Sequence, residues 1–146
     1  MKEASPFYED GQDIRDRAFD FACRVVRFCQ RVYEDGGVGR MLVRQLVDSS
    51  TSLDAMLEEA RAAESKRDFV SKCSIGLKEA REAHVRLKVM EVCRIGPTVE
   101  ASALRKEADE LIAIVGAIIR NTRRNAGLAS SNSRRIPDSP RCIPNS

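Results

Sequence analysis

The sequence predicts an all-α fold, an antiparallel up-down-up-down four-helix bundle with a disordered C-terminal tail, and three observations predict it. Apolar residues recur at alternating steps of four and three in four separate segments, the spacing of a helix that buries one stripe. Short breaks rich in glycine, proline or hydroxyl residues divide those segments. The composition is rich in Ala, Leu, Glu, Arg, Lys and Ser, tryptophan is absent, and the alternation of branched and polar residues that marks a strand is hard to find.

The first helix is expected over residues 13–34. Ile14, Ala18, Phe21, Val25, Phe28 and Val32 form its seam, and Asp35-Gly36-Gly37 stops it, because glycine enters the left-handed turn at low cost. The second is expected over 39–63, with Leu42, Leu46, Ser49, Leu53, Met56 and Ala60 on the seam. Its middle, Ser49-Ser50-Thr51-Ser52, is small and hydroxylated. Small residues let helix axes approach, and a hydroxyl can return its proton to a carbonyl one turn back. The third starts behind Ser65-Lys66-Arg67-Asp68, a capping-box variant with Asp in place of Glu. Phe69, Val70, Cys73, Leu77, Ala80, His84 and Leu87 follow as its seam, flanked by Gly76, Ala83 and Met90, and it ends near Arg94 before Gly96-Pro97. The fourth runs from an expected N-cap at Thr98 to Asn125. Its seam is Leu104, Ala108, Leu111, Val115, Ile118 and Thr122, and Arg120, Arg123 and Arg124 complement the helix dipole in its last turns.

The chain therefore divides into a flexible lead-in (1–12), one bundle domain (13–125) and a disordered basic tail (126–146) rich in Ser, Asn, Arg and Pro. Four apolar positions off the seams, Val26, Val43, Ile75 and Ile119, are expected to face outward and to offer surface that an oligomer buries. The first eleven residues are polar, so no secretory leader is expected. No apolar run approaches the ~20 residues of a membrane span. The five cysteines (Cys23, Cys29, Cys73, Cys93 and Cys142) include no close pair. That usage fits a reducing compartment and a cytoplasmic protein.

Little in the chain supports catalysis. The hydroxyl cluster at 49–52 has no base beside it, and the sequence has one histidine, His84, and no glycine-flanked nucleophile turn. A bundle metal site needs paired Glu-x-x-His motifs, but Arg81 stands three before His84 and no second histidine exists. Cys23 and Cys29 are six apart, which is not one helical face. No phosphate-binding glycine motif occurs. No cofactor and no metal are expected.

Charge carries more information. Residues 65–95 hold eight basic and four acidic side chains, and residues 39–64 hold three and five. One basic and one acidic helix can pair within a protomer, pair between protomers, or leave the basic face open to phosphates. The candidate nucleic-acid contacts are Lys72, Lys78, Arg81, Arg86, Lys88, Arg120, Arg123 and Arg124, with the tail arginines Arg134, Arg135 and Arg141. The basic helix lacks stacking aromatics, so such contact would read phosphate and shape. The candidate packing residues between helices or subunits are Ser49, Ser52, Glu59, Glu79 and Glu82. Glu58 and Glu59 are expected to meet cations of the third helix or of a neighbouring subunit.

The stretch 44–87 resembles the four-helix-bundle proteins encoded in intervening sequences of bacterial 23S ribosomal RNA. Thr51-Ser52, Glu59-Ala60, Ser65-Lys66-Arg67-Asp68-Phe69, Ser74-Ile75 and Lys78-Glu79-Ala80-Arg81-Glu82 carry the resemblance. Ser50, Met56 and Ala83 depart from the family's glycine, asparagine and threonine. Val47-Asp48 replaces a basic pair, and Val85-Arg86 an aromatic one. The resemblance implies a bundle without established enzymatic activity that assembles as a ring, commonly a pentamer. A related branch, the accessory proteins of diversity-generating retroelements, binds nucleic acid through a basic pentamer. The expected role is thus a self-associating interaction scaffold, with nucleic-acid binding as the alternative.

Overall fold

The computed structural model describes residues 5–9 and 11–127. Beyond Gly127 the expected tail, with Cys142 and the tail arginines, lies outside the described residues. Four helices follow a short ladder: β1 (Tyr8–Glu9), β2 (Gln12–Asp13), α1 (Ile14–Asp35), α2 (Gly39–Arg61), α3 (Lys66–Val92) and α4 (Thr98–Asn125).

Cross-helix contacts fix the directions. Arg86 reaches Gln45 and Lys72 reaches Glu59, in reverse order along α2 and α3. Glu91 meets Arg105 and His84 meets Asp109 between α3 and α4. Arg15 approaches Glu58, and Arg40 donates to the Tyr33 carbonyl, between α1 and α2. Arg17 holds Glu107 and Arg31 holds Glu100 between α1 and α4. Each neighbour runs opposite to the last, and α1 and α3 stand at opposite corners.

The core is continuous through the bundle. Phe21, Val25, Phe28, Leu46, Leu53, Leu57, Leu87, Met90, Leu104, Leu111 and Val115 are fully buried. The α1 seam is buried as its spacing predicts. On α2 the stripe widens: Val43 and Leu57 are buried, while Leu42 and Met56 are half-buried. On α3 it turns toward α2, so that Cys73, Gly76, Ala80, Ala83, Leu87 and Met90 form the inner line and Leu77 and His84 move to the flank. Gly76 faces Met56 and Leu53 of α2, where an added Cβ would lie 3.4 Å from the Met56 Cβ, in ordinary contact. Of the four apolar positions expected outside, Ile75 is exposed and Val26 half-buried, but Val43 and Ile119 are buried. A corner helix packs against two neighbours, so its buried arc exceeds one heptad seam.

Capping matches expectation at Ser65, adds a cap at Asp13, and departs from expectation at two junctions. Asp13 Oδ1 accepts from the Arg15 amide (2.9 Å), and Ser65 Oγ accepts from the Asp68 amide (3.0 Å). Pro97, not Thr98, occupies the α4 N-cap, with no side-chain cap bond. At the α3 end, Arg94 rather than glycine takes the left-handed position (φ 54°), with the Ile95 amide on the Met90 carbonyl and the Arg94 amide on that of Glu91. Gly96 serves another purpose. Its Cβ would sit 2.6 Å from Val32 Cγ2 and 2.9 Å from Phe28 Cζ, so only glycine lets the loop lie on α1.

The lead-in also departs from expectation. Phe7 is buried, its ring centroid 5.2 Å from that of Phe69, and its carbonyl accepts from the Ile14 amide. An aromatic ring placed seven residues before the first core position thus packs into the core.

Candidate interaction surfaces

The hydroxyl cluster lies within the bundle. Ser49 and Ser50 are buried, and Ser49 Oγ donates to the carbonyls of Gln45 (3.0 Å) and Leu46 (3.2 Å). Ser50 Oγ donates to the Val47 carbonyl and Thr51 Oγ1 to the same carbonyl. Ser52 is half-buried. With each buried hydroxyl bonded to its own helix, none is held against a base. His84 Nε2 lies 2.9 Å from Asp109 Oδ1, so the one histidine links α3 to α4. Among the described residues no group of three or more His, Cys, Asp or Glu side chains is placed to hold a metal ion. None of the described helices is long and apolar enough to cross a membrane.

The candidate cations fall into three groups. Lys72 and Arg86 turn toward α2: Lys72 Nζ is 3.6 Å from Glu59, and Arg86 Nε donates to Gln45 Oε1 (3.1 Å) while Nη1 lies 3.7 Å from Glu82. Glu59 thus meets α3, whereas Glu58 lies nearest Arg15 of α1, at 3.8 Å. Lys78, Arg81 and Lys88 stand exposed on the outer side of α3, and no described carboxylate is within ion-pair distance of any of them. Arg120, Arg123 and Arg124 end α4 beside the start of α3, where Thr122 and Asn125 share a cavity with Lys66 and Phe69. From Leu111 to Gly127 the chain carries no acidic residue. Glu79 is half-buried, and desolvation followed by the neighbouring Glu82 pushes its carboxyl above the usual range.

Two further stripes emerge on the outside. On α1, Phe19, Cys23, Val26, Gln30 and Tyr33 repeat at steps of 4-3-4-3, with Phe19 61% and Tyr33 55% exposed. They border a groove with α2, made of two cavities of about 370 and 560 Å³ that share Val26 and Gln30. On its α2 wall Asp48 and Asp54 have no described cation within ion-pair distance. Desolvation, then Glu58, pushes the Asp54 carboxyl up. On α3, Ile75, Lys78, Glu82, Val85, Val89 and Val92 repeat at 3-4-3-4-3, and all four apolar members are exposed. Reading one seam per helix misses these stripes. The signal that finds them is a second heptad register on the same helix.

Fold and surface together define a class, a four-helix bundle whose candidate sites are faces rather than a catalytic cleft. The chain belongs to the 23S rRNA-intervening sequence protein family, whose model matches residues 11–117. It is also similar to a protein of unknown function from the S23 ribosomal protein family of Bacteroides thetaiotaomicron VPI-5482. Its crystal structure superposes with a TM-score of 0.67 at 26% identity, covering 73% of this chain and 98% of that one. No curated protein matches the chain.

Proposed function

We propose that this protein is a non-enzymatic, self-associating cytoplasmic bundle that acts as an interaction scaffold. The observation that carries the reading is the pair of outward heptad stripes. An isolated protomer exposes both to water, although each has the spacing of a helix seam. The α1 stripe spans 15 residues and the α3 stripe 18, so their ends lie about 21 and 26 Å apart at 1.5 Å per residue step. The α1 stripe borders the groove with α2, and the α3 stripe borders a cavity of about 550 Å³ that it shares with Gln45 of α2. They sit on helices at opposite corners, so one stripe can meet the other only in a second copy. Such a contact is head-to-tail, and a head-to-tail contact whose rotation closes forms a ring, five-membered if the family resemblance extends to assembly.

Mixing tests this. The variant Phe19→Glu/Tyr33→Glu blocks the α1 stripe, and Val85→Glu/Val92→Glu blocks the α3 stripe. By light scattering at fixed concentration the wild type is expected to be a closed oligomer and each variant a monomer. An equimolar mixture is expected to give a 1:1 dimer through the one intact contact. A monomeric wild type at about 100 µM, in the range of weak association, refutes self-association. Variants that assemble at wild-type size refute the assigned faces.

A second reading, nucleic-acid binding, is favoured by Lys78, Arg81, Lys88, Arg120, Arg123 and Arg124, which have no described carboxylate within ion-pair distance. Five copies would raise the net charge from +3 to about +15, and avidity rises with valency. Anisotropy with labelled structured RNA and duplex DNA at two salt concentrations decides it. Phosphate contacts weaken steeply with salt, and no binding at low salt removes this reading.

A further inference from the structure

The end of the bundle where α2 turns into α3 holds a cavity of about 440 Å³, within the range of small-molecule sites. Phe7 and Phe69 form its apolar floor with Ala60 and Ala63. Three cations line it, Arg15, Arg61 and Lys66, and no described carboxylate does. Arg15 is already committed. Its guanidinium is paired with Asp13, lies 3.8 Å from Glu58 and stacks 5.3 Å over the Phe7 ring. Arg61 and Lys66 are exposed at the rim, with no described carboxylate within ion-pair distance. Asp68, the nearest acid along α3, accepts from the Glu64 amide instead (3.2 Å).

We infer that this cavity binds a small amphipathic organic anion, its apolar or aromatic body against Phe7 and Phe69 and its carboxylate, sulfonate or phosphate head between Arg61 and Lys66. Each half of the site selects one half of the ligand. An apolar floor gives nothing to a hydrated inorganic anion, and two exposed cations without a close ion pair, of which Arg61 acts on Asp13 only from beyond ion-pair distance, give little to a neutral hydrocarbon. The site is distinct from the α1 groove and the α3 stripe, and it requires neither self-association nor nucleic-acid binding.

The probe is 8-anilinonaphthalene-1-sulfonate, with neutral N-phenyl-1-naphthylamine as its uncharged counterpart, both titrated into the full chain. Fluorescence is expected to show saturable binding of the sulfonate at one site per chain. Amide NMR shifts are expected to cluster at residues 60–69 and 122–125. Arg61→Gln/Lys66→Gln is expected to weaken the sulfonate by on the order of tenfold while leaving the neutral probe unchanged, a selectivity that a folding defect cannot imitate. Absence of saturable binding, shifts centred on Phe19–Tyr33 or Ile75–Val92, or equal loss of both probes in the double variant would each overturn the inference.

Discussion

Gly96→Ala tests the packing argument most directly. Gly96 has φ +79°, where an L side chain costs about 1–2 kcal/mol. Its new methyl would lie 2.6 Å from Val32 Cγ2 and 2.9–3.0 Å from two Phe28 ring atoms. Both residues are buried, and Gly39 also packs on Val32, so the ring and the valine have little room to yield. Overpacking of this kind costs about 1–3 kcal/mol. The expected total is about 2–5 kcal/mol, a large part of a typical stability of about 5–15 kcal/mol, and a fall in Tm of about 10 °C. Gly37→Ala is the control. Gly37 has φ +68° and nothing within 4 Å of an added Cβ, so it carries the backbone cost alone. Urea and thermal melts followed by circular dichroism, at one protein concentration, compare the two. Adding Val32→Ala to Gly96→Ala should recover about 1 kcal/mol through coupling between touching residues. Equal losses for Gly96→Ala and Gly37→Ala, or no coupling to Val32, would refute the close approach.

Three other outcomes are expected. Ser65→Ala should cost about 1 kcal/mol as a lost N-cap, while Thr98→Ala should stay within about 0.5 kcal/mol, because Pro97 holds the cap position; chemical denaturation reads both. Asp54 has a folded-state pKa raised by desolvation and by Glu58, so it binds its proton more tightly when folded, and its ionisation opposes folding as pH rises above the usual carboxylate range. Asp54→Asn should therefore melt above the wild type at pH 7 and lose that advantage below about pH 3–4; a variant that is less stable at pH 7 contradicts this. Burial pushes the thiols of Cys29 and Cys73 up to about 12, so at pH 8 they should react with a thiol reagent only after unfolding, whereas exposed Cys93 labels in the native state. Labelling followed by peptide mass spectrometry distinguishes them.

Much of this protein was legible along the chain because helix periodicity and capping are local. The α1 seam, the Ser65 cap and the four helices follow from spacing and side-chain chemistry within a few residues. Family membership followed from short runs in α2 and α3, whose residues stay together in sequence. Other features were not legible. That Gly96 is needed beneath Val32 and Phe28 depends on residues more than sixty positions away.

The sequence by itself determined four helices, their approximate limits, the core line of α1 and the uneven distribution of charge. Only the tertiary structure decided which cations are compensated and which are not. It pairs Lys72 with Glu59 and leaves Lys78, Arg81 and Lys88 on the outer side of α3. It decided that Val43 and Ile119 are inside, that a second register on α1 and α3 faces out, and that Phe7 packs against Phe69. The physical reason is common to all of these. Periodicity specifies a helix's own face, but burial and charge compensation depend on neighbours brought together only when the helices pack.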